Sequence, residues 1–153
     1  MDRTDARILR RLQQNSAPPL NELADAVGLS PSACHRRVKL LEKSGAISGY
    51  VARLDRAALG LTIQAFVEIS LTSQSEEALQ AFEEAVIRTE EILECHLMTG
   101  SADYMLRVAA RDVADFERIH RNRLSRLPGV ASLQSGFVLR SIREGGAYPV
   151  DVT

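Results

Sequence analysis

The chain has 153 residues, of which 45% are hydrophobic and 25% are charged. This composition is typical of a globular protein and excludes the disordered and fibrous classes, and the length allows one ordinary domain or two small ones. No run approaches the roughly 18 apolar residues of a membrane span, and no apolar signal-peptide core follows the N-terminus. We therefore expect a cytoplasmic protein with no membrane partner.

The net charge of −1 divides unevenly along the chain. Residues 1–60 contain ten lysines and arginines against six acidic residues, whereas residues 61–153 contain nine against fourteen. Because Lys and Arg supply most nonspecific affinity for nucleic acid by neutralising phosphates, only the first part is expected to approach DNA. A solvated surface has the same kind of excess, so charge alone does not decide the function.

Three short helices are predicted at the start of the chain. The first covers about residues 4–14, and the second covers residues 20–27, where Gly28 ends it. Ser30-Pro31 then supplies an N-cap followed by proline at the first helical position, which predicts a third helix that reaches about Ser44. Two helices joined by so short a connection indicate a helix-turn-helix.

The third predicted helix has a narrow apolar face and a wide polar one. At about 100° per residue, Cys34, Val38 and Leu41 share the buried face. The opposite face is polar near its start and cationic further on, which suits a helix whose first turns meet base edges and whose later residues meet phosphate. A solvated surface helix could look alike, but the helix-turn-helix context favours DNA contact. The candidate DNA-binding residues are Ser30, Ser32, His35, Arg36, Lys39 and Lys43.

Residues 47–54 alternate between apolar and polar side chains, which predicts a strand acting as a wing or linker. Leu59-Gly60-Leu61 then marks a boundary. We expect residues 1–60 to form a helix-turn-helix DNA-binding domain with a linking strand, and residues 61–153 to form a second domain with a C-terminal tail.

The second part combines strand and helix periodicities. The predicted order is strand, helix, strand, strand, helix, strand, which is the ferredoxin-like βαββαβ arrangement. The fold class is therefore α+β, a winged helix-turn-helix domain followed by a ferredoxin-like domain. Short helices on one sheet face would leave the other face free for a second copy. The predicted elements are strands at 62–71, 92–99, 104–110 and 130–140, a helix capped by Ser75 that ends near Thr89, and a helix that opens at Asp112 and carries Leu127.

These residues resemble the Lrp/AsnC, or feast/famine, family of regulators over nearly the whole chain. The N-terminal match consists of Asp5-x-x-Ile8-Leu9-x-x-Leu12, Leu23-Ala24-x-x-Val27-Gly28-Leu29-Ser30, Cys34-x-x-Arg37, Leu41-Glu42-x-x-Gly45-x-Ile47-x-Gly49-Tyr50 and Leu59-Gly60. The C-terminal match consists of Thr99-Gly100-Ser101-Ala102-Asp103-Tyr104, Leu127-Pro128-Gly129-Val130, Ser135 and Phe137.

The resemblance implies that residues 61–153 form a RAM/ACT-like domain for ligand sensing and oligomerisation. It implies a homodimer whose sheets pack together and which can assemble into octamers, with double-stranded DNA and an amino-acid effector as partners. The effector would lie at the loop from Gly100 to Tyr104, where backbone amides could hold a carboxylate and Asp103 an ammonium. The alternative is that this loop has only a structural role, as a tight connection between two strands. The candidate effector-binding residues are Thr99, Gly100, Ser101, Ala102, Asp103, Tyr104, Gln134 and Ser135.

Catalytic and metal-binding patterns are not found in the sequence. The three histidines are scattered, the two cysteines form no C-x-x-C, and neither a nucleophile elbow nor a phosphate loop is present. Cys95 and His96 are adjacent in a predicted strand, so their side chains should point to opposite faces. We expect no catalytic residue, no metal and no cofactor.

Three functions remain open from the sequence. The first is a sequence-specific transcriptional regulator whose DNA binding or assembly responds to an amino acid or a related metabolite. The second is an effector-independent protein that organises DNA. The third is a metabolite-binding module whose helical domain binds a protein partner.

Overall fold

The computed structural model describes residues 1–151, which form two compact units. The first unit contains Met1–Arg53 together with residues 142–151, and the second contains Leu54–Ser141. The division therefore falls earlier than the expected boundary at residue 60, and the tail lies with the first unit. Hydrogen bonds explain both differences. Arg56 donates to the carbonyls of Leu61 and Thr62, whereas Gln13 of the first unit exchanges two hydrogen bonds with the backbone of Tyr148.

The first unit is a three-helix domain whose helix ends follow the local signals of the sequence. Helix α1 (Arg3–Gln14) opens with a capping box in which Asp2 and Asp5 each accept the other's backbone N–H. Helix α2 (Leu20–Val27) ends at Gly28, whose φ of +72° is a left-handed conformation that glycine adopts without steric cost. Helix α3 (Pro31–Lys43) begins after the N-cap Ser30. The core of this unit contains Ile8, Leu23, Ala24, Val27, Cys34 and Leu41.

The prediction of a strand at residues 47–54 is wrong, because this segment pairs with no strand among residues 1–151. It is attached to α3 in other ways. The backbone N–H of Ile47 donates to the carbonyl of Leu41 at 3.2 Å, and the Tyr50 hydroxyl donates to Glu42 at 3.1 Å. Alternation made this segment suitable for a sheet, but a strand also requires a partner strand for its backbone groups.

The second unit is the predicted βαββαβ fold. Its elements are β1 (Ile63–Leu71), α4 (Glu76–Ile87), β2 (Ile92–Leu97), β3 (Tyr104–Ala110), α5 (Val113–Asn122) and β4 (Val130–Phe137). The four strands are antiparallel and have the order β2-β3-β1-β4. Strands β2 and β4 end two and three residues earlier than predicted. Helix α5 stops at Asn122, and Leu127 follows a 3₁₀ turn at Leu124–Arg126, so Leu127 reaches the core from outside the helix.

Both helices pack on one face of this sheet. Val67 and Ile69 of β1 are fully buried with Leu106 of β3, and they contact a layer that includes Phe82 of α4 and Ile119 of α5. We call the opposite side the outer face. It carries Phe66, which is 42% exposed, and the alternate residues of the neighbouring strands. Among residues 1–151, no helix is long and apolar enough to cross a membrane.

Candidate nucleic-acid interface and effector loop

The six residues predicted to contact DNA are all exposed, and they lie at the start of α3 and along its outer side. Ser30 has a structural role as well, because its hydroxyl accepts the backbone N–H of Ala33 at 3.3 Å and lies 3.3 Å from the Ser32 hydroxyl. The start of α3 therefore presents two hydroxyls on a capped turn. Further along the same side, α3 presents the imidazole of His35 and the cations of Arg36, Lys39 and Lys43.

Arg37 is half-buried and contacts helix α1 rather than lying on this exposed side. Its guanidinium lies 2.7 Å from a carboxylate oxygen of Asp2 and 2.7 Å from one of Asp5, at the start of α1. The hydrogen bonds that Arg37 donates to Asp5 and to Asp2 raise its pKa, with the larger contribution from Asp5. The Asp2 pKa is lowered by the backbone N–H of Asp5 and by Arg37. Arg37 thus joins α3 to α1 and stabilises both helices in one arrangement.

Glu42 is a member of the interface region that the sequence did not single out. One carboxylate oxygen lies 2.7 Å from the Lys39 ammonium, and the other accepts the Tyr50 hydroxyl at 3.1 Å. The hydrogen bond from Lys39 lowers the pKa of Glu42, and Glu42 raises that of Lys39. A spacing of three residues on a helix places Lys39 and Glu42 side by side, so this pair was visible in the sequence. The contact with Tyr50 was not, because it depends on the path of the chain after α3.

The predicted effector loop connects β2 to β3 and is shaped by Asp103. One carboxylate oxygen accepts the backbone N–H of Leu71 at 2.7 Å, and the other accepts the side-chain amide of Gln74 at 2.7 Å. The backbone of Asp103 donates to Ile69 and accepts from Met98, both at 2.8 Å. Asp103 therefore fastens the loop to the end of β1, and Gln74 is a supporting residue that the sequence did not indicate.

The remaining loop residues divide into exposed and buried ones. Thr99, Gly100 and Ser101 are exposed, and Gly100 has a φ of +128°, a backbone conformation that strongly favours glycine. Ala102 is half-buried. The Tyr104 side chain lies in the core, so the exposed part of the loop precedes it.

Tyr104 contacts helix α4 through both its ring and its hydroxyl. The ring packs against Phe82 with centroids 4.5 Å apart, and the hydroxyl donates to Glu83 at 2.7 Å. Burial, followed by the hydrogen bond to Glu83, raises the Tyr104 pKa well above its ordinary value. Tyr104 is therefore neutral at physiological pH and holds the end of the loop against α4.

Gln134 and Ser135 do not lie beside the loop within one chain. Gln134 pairs with Glu68 and Ser135 with Val67, so both are separated from β3 by strand β1, a distance of about 10 Å across two strand spacings. Consecutive strand residues also point to opposite faces, which places Gln134 on the outer face and Ser135 on the helical side. The loop and these two residues do not enclose a common pocket in a single protomer.

The geometry of Cys95 and His96 is that of structural residues. Cys95 packs against the core, whereas the His96 side chain is exposed and lies 3.7 Å from Glu94. Burial, with a smaller contribution from Glu83, raises the pKa of Cys95 to about 11, so its thiol is protonated at neutral pH. Residues 1–151 contain no cluster of His, Cys, Asp or Glu suited to a metal ion.

Two family profiles match the chain and together cover most of its length. The profile of the AsnC-type helix-turn-helix domain matches residues 1–42, and that of the Lrp/AsnC ligand binding domain matches residues 64–148. The first match includes α1, α2 and nearly all of α3. The second includes nearly the entire sheet with both of its helices.

Known proteins resemble the chain from end to end. It is 40% identical to the Bkd operon transcriptional regulator of Pseudomonas aeruginosa over 150 residues, covering 98% of each chain. It is 37% identical to the leucine-responsive regulatory protein of Escherichia coli over 144 residues, which are 94% of this chain and 88% of that protein. The crystal structure of a transcriptional regulator from Neisseria meningitidis in complex with L-Met superposes with a TM-score of 0.94 at 35% identity, covering 99% of this chain and 97% of the other.

Proposed function

Because the chain belongs to the Lrp/AsnC family of transcriptional regulators, we propose that it binds double-stranded DNA through the exposed side of α3 and that an amino acid modulates this binding. The chain is a regulator with a helix-turn-helix and a ligand-binding domain, and it is not an enzyme. As a DNA-binding protein with bacterial relatives, it is expected to act in the cytoplasm, where the DNA is.

The observation that carries the DNA-binding proposal is the difference between the two sides of α3. Cys34 and Leu41 are buried in the unit core and Arg37 is tied to α1, so the inward side of the helix is fully engaged. The outward side carries Ser30, Ser32, His35, Arg36, Lys39 and Lys43. A rigidly held helix that exposes short polar groups first and cations later fits the major groove, with its first turns at base edges and its cations at phosphates.

The effector proposal rests on the loop that Asp103 holds. Exposed backbone at Gly100 and Ser101 offers amides to a carboxylate, and each Asp103 oxygen keeps a second lone pair that an ammonium could share. An α-amino acid carries both groups, and the similar Neisseria meningitidis regulator was crystallised with L-Met. The proposed contact set is Thr99, Gly100, Ser101, Ala102, Asp103, Tyr104, Gln134 and Ser135.

The proposed site requires more than one protomer. Since Gln134 and the loop lie on opposite sides of β1, a second copy must contribute one side of a closed pocket. The outer face of the sheet, with Phe66 exposed, is the surface we propose for a homodimer, which can assemble further into an octamer. Ligand binding between protomers would then shift the populations of assembly states, and a difference in DNA affinity between those states would give regulation.

The DNA proposal is tested by titrating fluorescent fragments of genomic DNA with the full chain and with Arg36→Ala. Loss of one cation that contacts DNA should weaken binding and reduce the slope of log K against log salt concentration by about one. Arg118→Ala, on helix α5 of the second unit, is the matched control and should bind like the unchanged protein. Equal affinities for Arg36→Ala and the control would remove the α3 assignment. No DNA binding even at low salt would favour a protein partner for the helical unit instead.

A further inference from the structure

Glu42 is an acidic side chain at the edge of a surface proposed to bind an anion. It lies on α3 one turn after Lys39, and its side chain is 28% exposed compared with 61% for Lys39. Its two oxygens are engaged by different partners, Lys39 at 2.7 Å and the Tyr50 hydroxyl at 3.1 Å. An acidic group near a phosphate backbone is costly unless it has another task, so its position requires an explanation.

Tyr50 fixes where the Glu42 carboxylate can lie. The backbone N–H of Ile47 donates to the Leu41 carbonyl at the end of α3, and the Tyr50 hydroxyl three residues later reaches Glu42. The phenolic hydroxyl then holds one carboxylate oxygen, which leaves the other directed at the Lys39 ammonium. Glu42 is therefore a positioned partner of Lys39 rather than one of several freely rotating surface charges.

We propose that Glu42 competes with DNA phosphate for Lys39 and thereby limits nonspecific DNA binding. This inference rests on the proposed function of α3. While the pair is closed, Lys39 and Glu42 contribute no net charge, and a DNA duplex releases about one counterion fewer on binding. The pair is also weak enough to open, because water and salt screen the attraction between two ions at the protein surface.

The proposed competition favours specific over nonspecific sites. On a nonspecific duplex, Lys39 remains paired with Glu42, and the phosphate contact is lost or weakened. On a specific site, base contacts at the start of α3 hold the helix close to the backbone, and a phosphate can then replace Glu42. The consequence is a larger ratio of specific to nonspecific affinity, which decides occupancy when competing sites are many.

The test is a double-mutant cycle on nonspecific duplex DNA, with Glu42→Gln, Lys39→Met and the double variant measured over a range of salt concentrations. The Glu42→Gln side chain would keep an acceptor for the Tyr50 hydroxyl without the charge. This variant should therefore bind nonspecific DNA about 3- to 10-fold more tightly at low salt, with a salt slope steeper by about one.

Lys39→Met should bind nonspecific DNA more weakly than the unchanged protein. In the Lys39→Met background, Glu42→Gln should change the affinity by less than about twofold, because the competition needs the lysine. Glu22→Gln on α2 removes the same charge from the same unit and is the control.

Several outcomes would overturn the competition. An equal gain from Glu42→Gln with and without Lys39, or a gain as large in Glu22→Gln, would mean a general charge effect. A loss of affinity in Glu42→Gln would mean that Glu42 positions Lys39 for DNA instead of competing for it. No effect of Lys39→Met would also overturn the competition, and Arg36→Ala would then show separately whether α3 faces DNA at all.

Discussion

Asp103 has a structural task that its residue type did not indicate. The sequence presented it as a carboxylate for an effector ammonium, and that assignment stays a prediction. The structure shows both oxygens accepting hydrogen bonds from the protein itself, from the Leu71 backbone and the Gln74 side chain. The first of these satisfies a backbone N–H just where strand β1 ends, so the side chain determines the shape of the loop that follows β2.

We predict that Asp103→Ala destabilises the second unit by about 1–3 kcal/mol, because a half-buried backbone donor loses its charged acceptor. The free energy of unfolding in urea measures this. The stability of Asp103→Asn should fall between that of the unchanged protein and that of Asp103→Ala. The Asn amide oxygen can still accept from Leu71, but the Asn NH₂ group would meet the Gln74 donor. Ser101→Ala, at an exposed position of the same loop, should cost little. A stability of Asp103→Ala equal to that of Ser101→Ala would contradict this role.

At the scale of elements, the contact between α1 and α3 is held by polar groups as well as by the core. Arg37 is bound by the two carboxylates that also form the capping box of α1, so one guanidinium stabilises a helix end and a helix pair together. The capping box joins Asp2 and Asp5, which are only three residues apart. The link from there to Arg37, 32 residues beyond Asp5, required the fold.

Arg37→Met should lower the melting temperature of the first unit, whereas Arg36→Met, at an exposed position, should leave it nearly unchanged. The pKa of Asp2 lies below its ordinary value of 3.8 in the folded protein. The stability that this shift represents is therefore fully present above the unfolded-state pKa and is lost as the pH falls through the folded one. The difference in melting temperature between the native protein and Arg37→Met should be full at about pH 6 and should shrink below about pH 4. A difference that does not depend on pH would contradict the ionic character of the contact.

Helix ends with local signals and strands with a clear alternation were predictable from sequence, whereas particular contacts between distant residues were not. Four helix ends depend only on residues next to them in the sequence. The structure places a helix boundary at each of these signals, which are Gly28, Ser30-Pro31, Ser75 and Asp112. The strand expected at 47–54 fails because no segment in the described part of the chain pairs with it. Gln134 and Ser135 entered the candidate site through a family resemblance, and only the strand register shows how far they lie from the loop.

At the scale of the molecule, the outer face of the sheet carries an exposed aromatic side chain among charged groups. The helices cover only one side, and the other side carries an exposed phenylalanine, Phe66, beside the Arg107–Glu94 ion pair at 2.5 Å. An antiparallel sheet can face water on one side, but it then usually presents polar residues. The aromatic group fits an interface between copies of the chain.

Phe66→Glu should shift the protein toward monomers, because it would replace the aromatic ring with a charge on the surface proposed for the homodimer. Sedimentation velocity across a range of protein concentrations measures the change. Val113→Glu introduces the same charge at an exposed apolar position on the helical side, where Val113 is 61% exposed, and should leave the assembly intact. Unchanged assembly in Phe66→Glu would place the interface elsewhere.

The most direct test of the central proposal is the DNA-binding isotherm of the full chain in the presence and absence of each common L-amino acid, with L-Met first. Coupling between an effector site and a DNA site predicts that at least one amino acid changes the apparent Kd, typically by about 5- to 150-fold, and that DNA changes the affinity for that amino acid by the same factor. Isotherms that superimpose for every amino acid, with DNA binding intact, would contradict amino-acid control and favour an effector-independent protein that organises DNA.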